Sequence, residues 1–312
     1  MNAKLFLSLV TFLLIARVES GMAQEGAVAL ASKRNSDKSV EITYQKLDPG
    51  TFTVALTFKE LQNAEAAKTE YTLRGYSGQL TTLTPSNKDQ SISYSYTYRF
   101  IRGKLNPRVN EEITYALPYE AGTLMSIREA SFLKASYFGN STPDDWKSYV
   151  MTTTSQQTVV ASRKGIVVEV NNKFEDAGQE GSSYTSERND VTVEHEDGSI
   201  ASYAGFAKNS IAVKVGTEVL PGTVLGKNVK RDTDRFGIYF MVMYLKSADF
   251  NMNKGKNMAT TKSFYGFLTP KFWVNNQPET LSDKSQYDAE IPNEVITQEM
   301  SKKELKRYNK SN

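Results

Sequence analysis

Apolar positions in the middle of the chain fall in short runs separated by glycine, a spacing that predicts brief strands joined by tight turns. Val159, Val160 and Ala161 lead to Gly165, and Ile166, Val167, Val168 and Val170 continue beyond it, as when a strand turns a corner. After a polar insertion, Val191 and Val193 alternate with Thr192 and Glu194 up to Asp197-Gly198, and Ile200, Ala201 and Tyr203 resume past it. An Asp-Gly between two such arms predicts a β-hairpin. Val213, Val215, Val219, Val224 and Leu225 are then punctuated by Gly216, Pro221-Gly222 and Gly226, and residues 237–244 form a last apolar strand.

The first half alternates with period two. Around Val40 and Ile42, Phe52 to Phe58, Tyr71 to Leu73 and Tyr94 to Phe100, polar residues alternate with apolar or aromatic ones, and Asp48-Pro49-Gly50 and Pro85-Ser86-Asn87 supply turns. Strands at this spacing without a helical stretch predict an immunoglobulin-like β-sandwich. The fold class is therefore all-β: a sandwich over residues 24–138, a second β-domain over 139–277 and a polar tail over 278–312. Within the tail, residues 296–310 have the pattern of a short helix, with Ser301 and Glu304 spaced as a capping box. Two apolar residues apart on a strand share a face, so Tyr94, Tyr96, Tyr98 and Phe100 are expected to face the sandwich core; the competing reading is a sugar-stacking platform.

Residues 1–23 are expected to be an address and not structure. Lys4 precedes an apolar run over residues 5–16, and Gly21 and Ala23 flank a small-residue cleavage site. The run is too short to span a bilayer and fits a secretory signal peptide, leaving no membrane-spanning segment after cleavage. The chain is then exported, to the periplasm or the cell surface. It contains no cysteine, so two cores must hold it without disulfides. A net charge of +3 on a chain that is 23% charged argues against a nucleic-acid binder.

Three segments, V159-x-A-x-x-x-G-x-V-V-E-V, V193-x-H-x-D-G with Tyr203, and V213-x-V-G-x-x-V-x-P-G-x-x-L-G, together resemble the lysostaphin/LytM zinc metallopeptidases, which cut peptide cross-bridges in peptidoglycan. The passage from Tyr94 to Gly103, followed by Tyr115, Leu117-Pro118-Tyr119 and Gly122, is similar to the sandwich and lead-in of multi-domain members. The resemblance implies a duplicated hybrid-motif β-domain. It also implies zinc held by a His and an Asp before the first strand and by a His of a terminal His-x-His, with two further histidines assisting water.

Those groups are missing. The only histidine is His195. In the family register, Val150 or a neighbour stands at the aspartate, Gly205 at the middle histidine, and Gly237 and Tyr239 at the His-x-His. Tyr203, Tyr239 and Met241 are the candidate residues lining the old groove. Catalytic zinc needs about three imidazole, thiolate or carboxylate ligands and an open position; with one histidine and no cysteine, carboxylates would have to serve, and all-oxygen sites suit calcium or magnesium better. No catalytic residue, metal ligand or cofactor is therefore assigned. His195, one residue before Glu196-Asp197-Gly198, is assigned a structural role, although a Ser-His-Asp arrangement uses the same residue types. Asp144, Asp145 and Trp146 lie where the family places its first ligands and are expected to form a turn. Residues 171–189 form a polar loop, which in the family rims the groove. The resemblance implies a non-catalytic envelope protein that binds peptidoglycan or a peptidoglycan hydrolase; the alternative is a wall hydrolase with a carboxylate pair or a different metal.

Overall fold

The computed structural model describes residues 27–66, 68–130, 144–176, 188–252, 254 and 262–311. The signal-peptide reading and the start of the segment around Gly139 to Pro143 lie outside them. The first six strands are β1 (Val28–Arg34), β2 (Val40–Lys46), β3 (Phe52–Gln62), β4 (Glu70–Leu73), β5 (Ser77–Leu83) and β6 (Ser93–Arg102). They form two three-stranded sheets, β1-β2-β5 and β4-β3-β6, closed on Val40, Ile42, Phe52, Val54, Leu56 and Leu73. Tyr94, Tyr96, Tyr98 and Phe100 pack half-buried against this core, and the Tyr94 and Tyr98 hydroxyls donate to Ser32 Oγ and the Val28 carbonyl. The alternation on β6 therefore serves sandwich packing.

The second core begins earlier than the sequence reading placed it. β7 (Thr114–Tyr115) and β8 (Leu124–Glu129) belong to it, with Tyr115, Leu117, Tyr119, Met125 and Ile127 all buried there. Val160 N–H donates to the Pro118 carbonyl and Ala116 N–H to the Ser162 carbonyl, tying this lead-in to the second domain. The break between cores thus falls after Gly103 and not at residue 138. Period-two alternation runs through both domains, so composition carried no mark of the change.

The chain continues through β9 (Tyr149–Thr153), β10 (Thr158–Val160), β11 (Gly165–Asn171), β12 (Asn189–Glu194), β13 (Ile200–Phe206), β14 (Glu218–Val219), β15 (Val224–Lys227), β16 (Val229–Asp232) and β17 (Arg235–Leu245). After these come β18 (Tyr265–Leu268), β19 (Lys271–Val274), β20 (Gln277–Glu279) and β21 (Gln286–Asp288). The main sheet runs β14-β11-β12-β13-β17-β9-β8-β21, with β16 and β18 also paired to β17. The Asp197-Gly198 turn joins β12 and β13 as an antiparallel hairpin, with Gly198 at φ 88°, a conformation that favours glycine.

Residues 278–312 are not a solvated tail. β21 pairs with β8, Leu281 and Ala289 enter the second core, and Val295 of helix α1 (Asn293–Thr297) is buried. Helix α2 (Lys302–Ser311) starts on the expected capping box: Ser301 N–H donates to Glu304 Oε2 at 2.7 Å, and Glu304 N–H to Ser301 Oγ at 3.3 Å. Charge misled the sequence reading, because the tail's exposed face is polar while single apolar residues point inward.

The sandwich seats on one end of the outer face of the main sheet. Thr51 N–H donates to Glu194 Oε2 at 2.7 Å, Asn106 N–H to the Leu245 carbonyl at 2.9 Å, and Arg102 bridges Asp48 and Glu169. A Cβ added at Gly50 would stand 2.6 Å from Val168 Cγ1, and one at Gly103, 3.1 Å from Leu245 Cβ, so glycines set how closely the two domains approach. This contact covers the Glu194 and Leu245 end of the sheet, and the sandwich does not reach the half-buried Asp190, Ala204 and Tyr239 at the other end.

Candidate functional site

Antiparallel pairing lines up residues from six strands. Asn171 faces Asp190, Asp190 faces Ala204, Ala204 faces Tyr239, Tyr239 faces Val150, and Val150 faces Arg128. Cross-strand partners share a sheet face at a spacing of about 4.8 Å, so this row is one band of the outer surface. Met241 lies one step along β17 on the same face, opposite Ser202. Tyr203 does not line this surface. It pairs with Phe240, both side chains are fully buried, their rings meet at 5.1 Å, and the Tyr203 hydroxyl accepts from Ser162 N–H. A period of two puts Tyr203 opposite in sense to Ala204 and Tyr239, which the sequence alone could not register across strands.

The two glycines sit against each other. Gly205 has φ 108°, and a Cβ there would stand 3.1 Å from the Gly237 carbonyl oxygen. A Cβ on Gly237 would stand 2.6 Å from the Met151 carbonyl oxygen and 3.1 Å from Thr152 Cα. Backbone atoms occupy the space that a side chain at either position would need. A side chain at Gly237 therefore needs β9 to move away from β17, and one at Gly205 meets a left-handed φ and the β17 main chain.

Two arginines meet at Tyr239. Arg231, from the β16 side of the β16–β17 hairpin, donates from Nη2 to the Tyr239 hydroxyl at 2.6 Å, and its guanidinium carbon lies 4.3 Å from the ring centroid. The guanidinium of Arg188, at the entry to β12, lies 3.9 Å from the same centroid. Cations over an aromatic face are attracted by its quadrupole, by about 0.5–2 kcal/mol each. At the other end of the band, burial and the nearby Glu169 carboxylate push Asp190 up to about 6. Neither arginine was singled out from sequence: each becomes part of the site only through strand register.

These residues do not fit zinc. Among the described residues no three His, Cys, Asp or Glu side chains converge as a metal site. Asp145 accepts from Phe267 N–H and Lys246 Nζ, and the Trp146 and Phe267 rings meet edge to face with centroids 4.7 Å apart, so this segment is held in packing and not aimed at Tyr239. His195 lies in the second core's hairpin corner, 2% exposed, with Nδ1 2.7 Å from the Lys164 carbonyl and Nε2 buried without a hydrogen-bond partner among the described residues. Nδ1 therefore carries the proton of a neutral ring.

Burial first, and the Arg163 charge second, lower His195 from 6.5 to about 3. The unfolded chain binds a proton there that the folded chain refuses, so this contribution to stability is present above pH 6.5 and is lost as pH falls toward 3. The slope approaches about 1.4 kcal/mol per pH unit in that window. Thermal melts between pH 7 and pH 4 are expected to fall more steeply for the wild-type chain than for His195→Gln; parallel curves would contradict the buried neutral ring.

No protein-family model matches the sequence, and no curated protein does. Among solved structures, the chain is similar to a protein named as a peptidase M23 from Pseudomonas aeruginosa, at 14% identity and TM-score 0.27 over 61% of this chain and 86% of that one. It is also similar to a zinc-containing peptidase from Vibrio cholerae, at 12% identity and TM-score 0.24 over 69% and 75%. Overlap this loose assigns no residue of this chain a role.

Proposed function

We propose that the chain is an exported cell-envelope protein whose second domain binds peptidoglycan on the Tyr239 face without hydrolysing it. The observation that carries this reading is the pair Gly205 and Gly237, where main-chain atoms of Gly237 and Met151 fill the space that side chains of the resembled family would use. The three glycine-turn segments supply the likeness to wall peptidases, and the Arg188, Arg231 and Tyr239 group gives the altered face a chemistry of its own. No described helix is long and apolar enough to cross a membrane.

The mature chain, residues 24–312, incubated with purified peptidoglycan sacculi, is expected to pellet with them at physiological salt and to release no soluble fragments. Chain left in the supernatant would sink direct wall binding and move the search to a peptidoglycan hydrolase as partner. Soluble fragments would instead overturn the non-catalytic reading in favour of a wall hydrolase.

A further inference from the structure

We propose that Arg231, stacked with Arg188 on Tyr239, forms a subsite for the carboxylate of a short extended peptide, which deepens the wall-binding reading and rests on it. Arg231 is half-buried, and its one hydrogen bond among the described residues goes from Nη2 to the Tyr239 hydroxyl. Arg102, Arg163 and Arg235 each meet a carboxylate, whereas Arg231 meets none among the described residues. A guanidinium has five donors in a planar fork that matches the two oxygens of a carboxylate. The tyrosine holds one corner of that fork and fixes its plane, which reduces the ordering cost of receiving an anion. The guanidinium of Arg188 lies over the same ring.

The rest of the band selects the kind of anion. Asp190 lies two strands from Tyr239, about 10 Å away at ordinary strand spacing, with Glu169 beside it on the same face. Two carboxyl groups at that distance disfavour a phosphate dianion and favour a monoanion whose other end offers N–H donors. The separation matches about three extended residues. Such a peptide would lie across β17 and β13, its carboxylate on Arg231 and its N–H groups toward Asp190.

The test titrates the mature chain with N-acetyl-trialanine, with its C-terminal amide and with inorganic phosphate, following the Tyr239 ring by NMR and affinity by calorimetry. The free acid is expected to shift the Tyr239 resonances and to bind about tenfold or more tightly than the amide, as a charge-assisted pair contributes. Arg231→Gln, checked for an unchanged melting temperature, is expected to lose that preference. Equal binding of acid and amide, tighter binding of phosphate, or an Arg231→Gln chain that keeps the preference would each overturn the subsite. Sacculi that pellet the chain while the free acid fails to bind would overturn the subsite and leave wall binding standing. Acid binding with no pelleting would support the subsite and overturn the wall as its source.

Discussion

Removing residues 278–312 is expected to leave the second domain unfolded. Leu281, Ala289 and Val295 are each 2% exposed, and the first two are part of the core that contains Tyr115, Tyr149 and Phe240. Burying Leu and Val side chains contributes about 1.5–3 kcal/mol apiece. The truncation also strips β21 from the edge of β8, and it removes the Ala289 main chain that accepts from Gly122 N–H and donates to the Thr123 carbonyl. Against a total stability of about 5–15 kcal/mol, losing several such groups together is decisive. Circular dichroism melts and limited proteolysis read the outcome: loss of the second domain's cooperative transition is expected, and an unchanged transition would show that the C-terminal segment is dispensable packing.

Arg163→Met is expected to lower the melting temperature by about 10 °C, from a loss of about 3–5 kcal/mol at about 2–4 °C per kcal/mol. Arg163 is 1% exposed and fully used: Nη2 meets Glu299 at 2.7 Å and Asp197 at 3.0 Å, Nε meets Glu299 at 2.9 Å, and Nη1 donates to Tyr115 Oη and Ser199 Oγ. A charge taken this far from water is tolerated because every donor is met, and removing it strands two carboxylates in the same enclosure. Glu299 comes from the turn between the two C-terminal helices, so the same residue anchors that segment to the β10–β11 corner. Glu299→Gln keeps the side-chain shape but removes the charge and turns one of the two accepting oxygens into an NH2 donor facing the guanidinium. A drop smaller than for Arg163→Met is expected because Asp197 still meets the arginine. Calorimetry on the three chains checks the order; Arg163→Met melting with the wild type would contradict a network that holds the segment in place.

Features that depend on local chemistry were legible in the sequence. The Asp197-Gly198 hairpin, the turns at Gly216 and Gly222 and the Ser301–Glu304 cap each follow from residues within a few positions of one another. Features that depend on register or on distant partners were not. Tyr203 and Tyr239 both sit on apolar strands, and only the pairing of Tyr203 with Phe240 reveals that they face opposite sides. Arg163 and Glu299 are separated by 136 residues, and neither carries a local sign of the other. The arginines over Tyr239 come from strand β16 and from the entry to β12, and only strand register brings them to it. Charge in the C-terminal segment suggested solvent, because a few inward apolar residues weigh little in composition yet fix the segment to the core.

The central claim, that the Tyr239 face presents packing and guanidinium groups and holds no zinc, is tested most directly by metal analysis of the purified mature chain after dialysis against zinc and then against metal-free buffer. Substoichiometric zinc, with a melting temperature that a chelator does not change, is the expected result. One zinc per chain that a chelator removes, with a matching fall in melting temperature, would contradict the account and return the domain to the metallopeptidases.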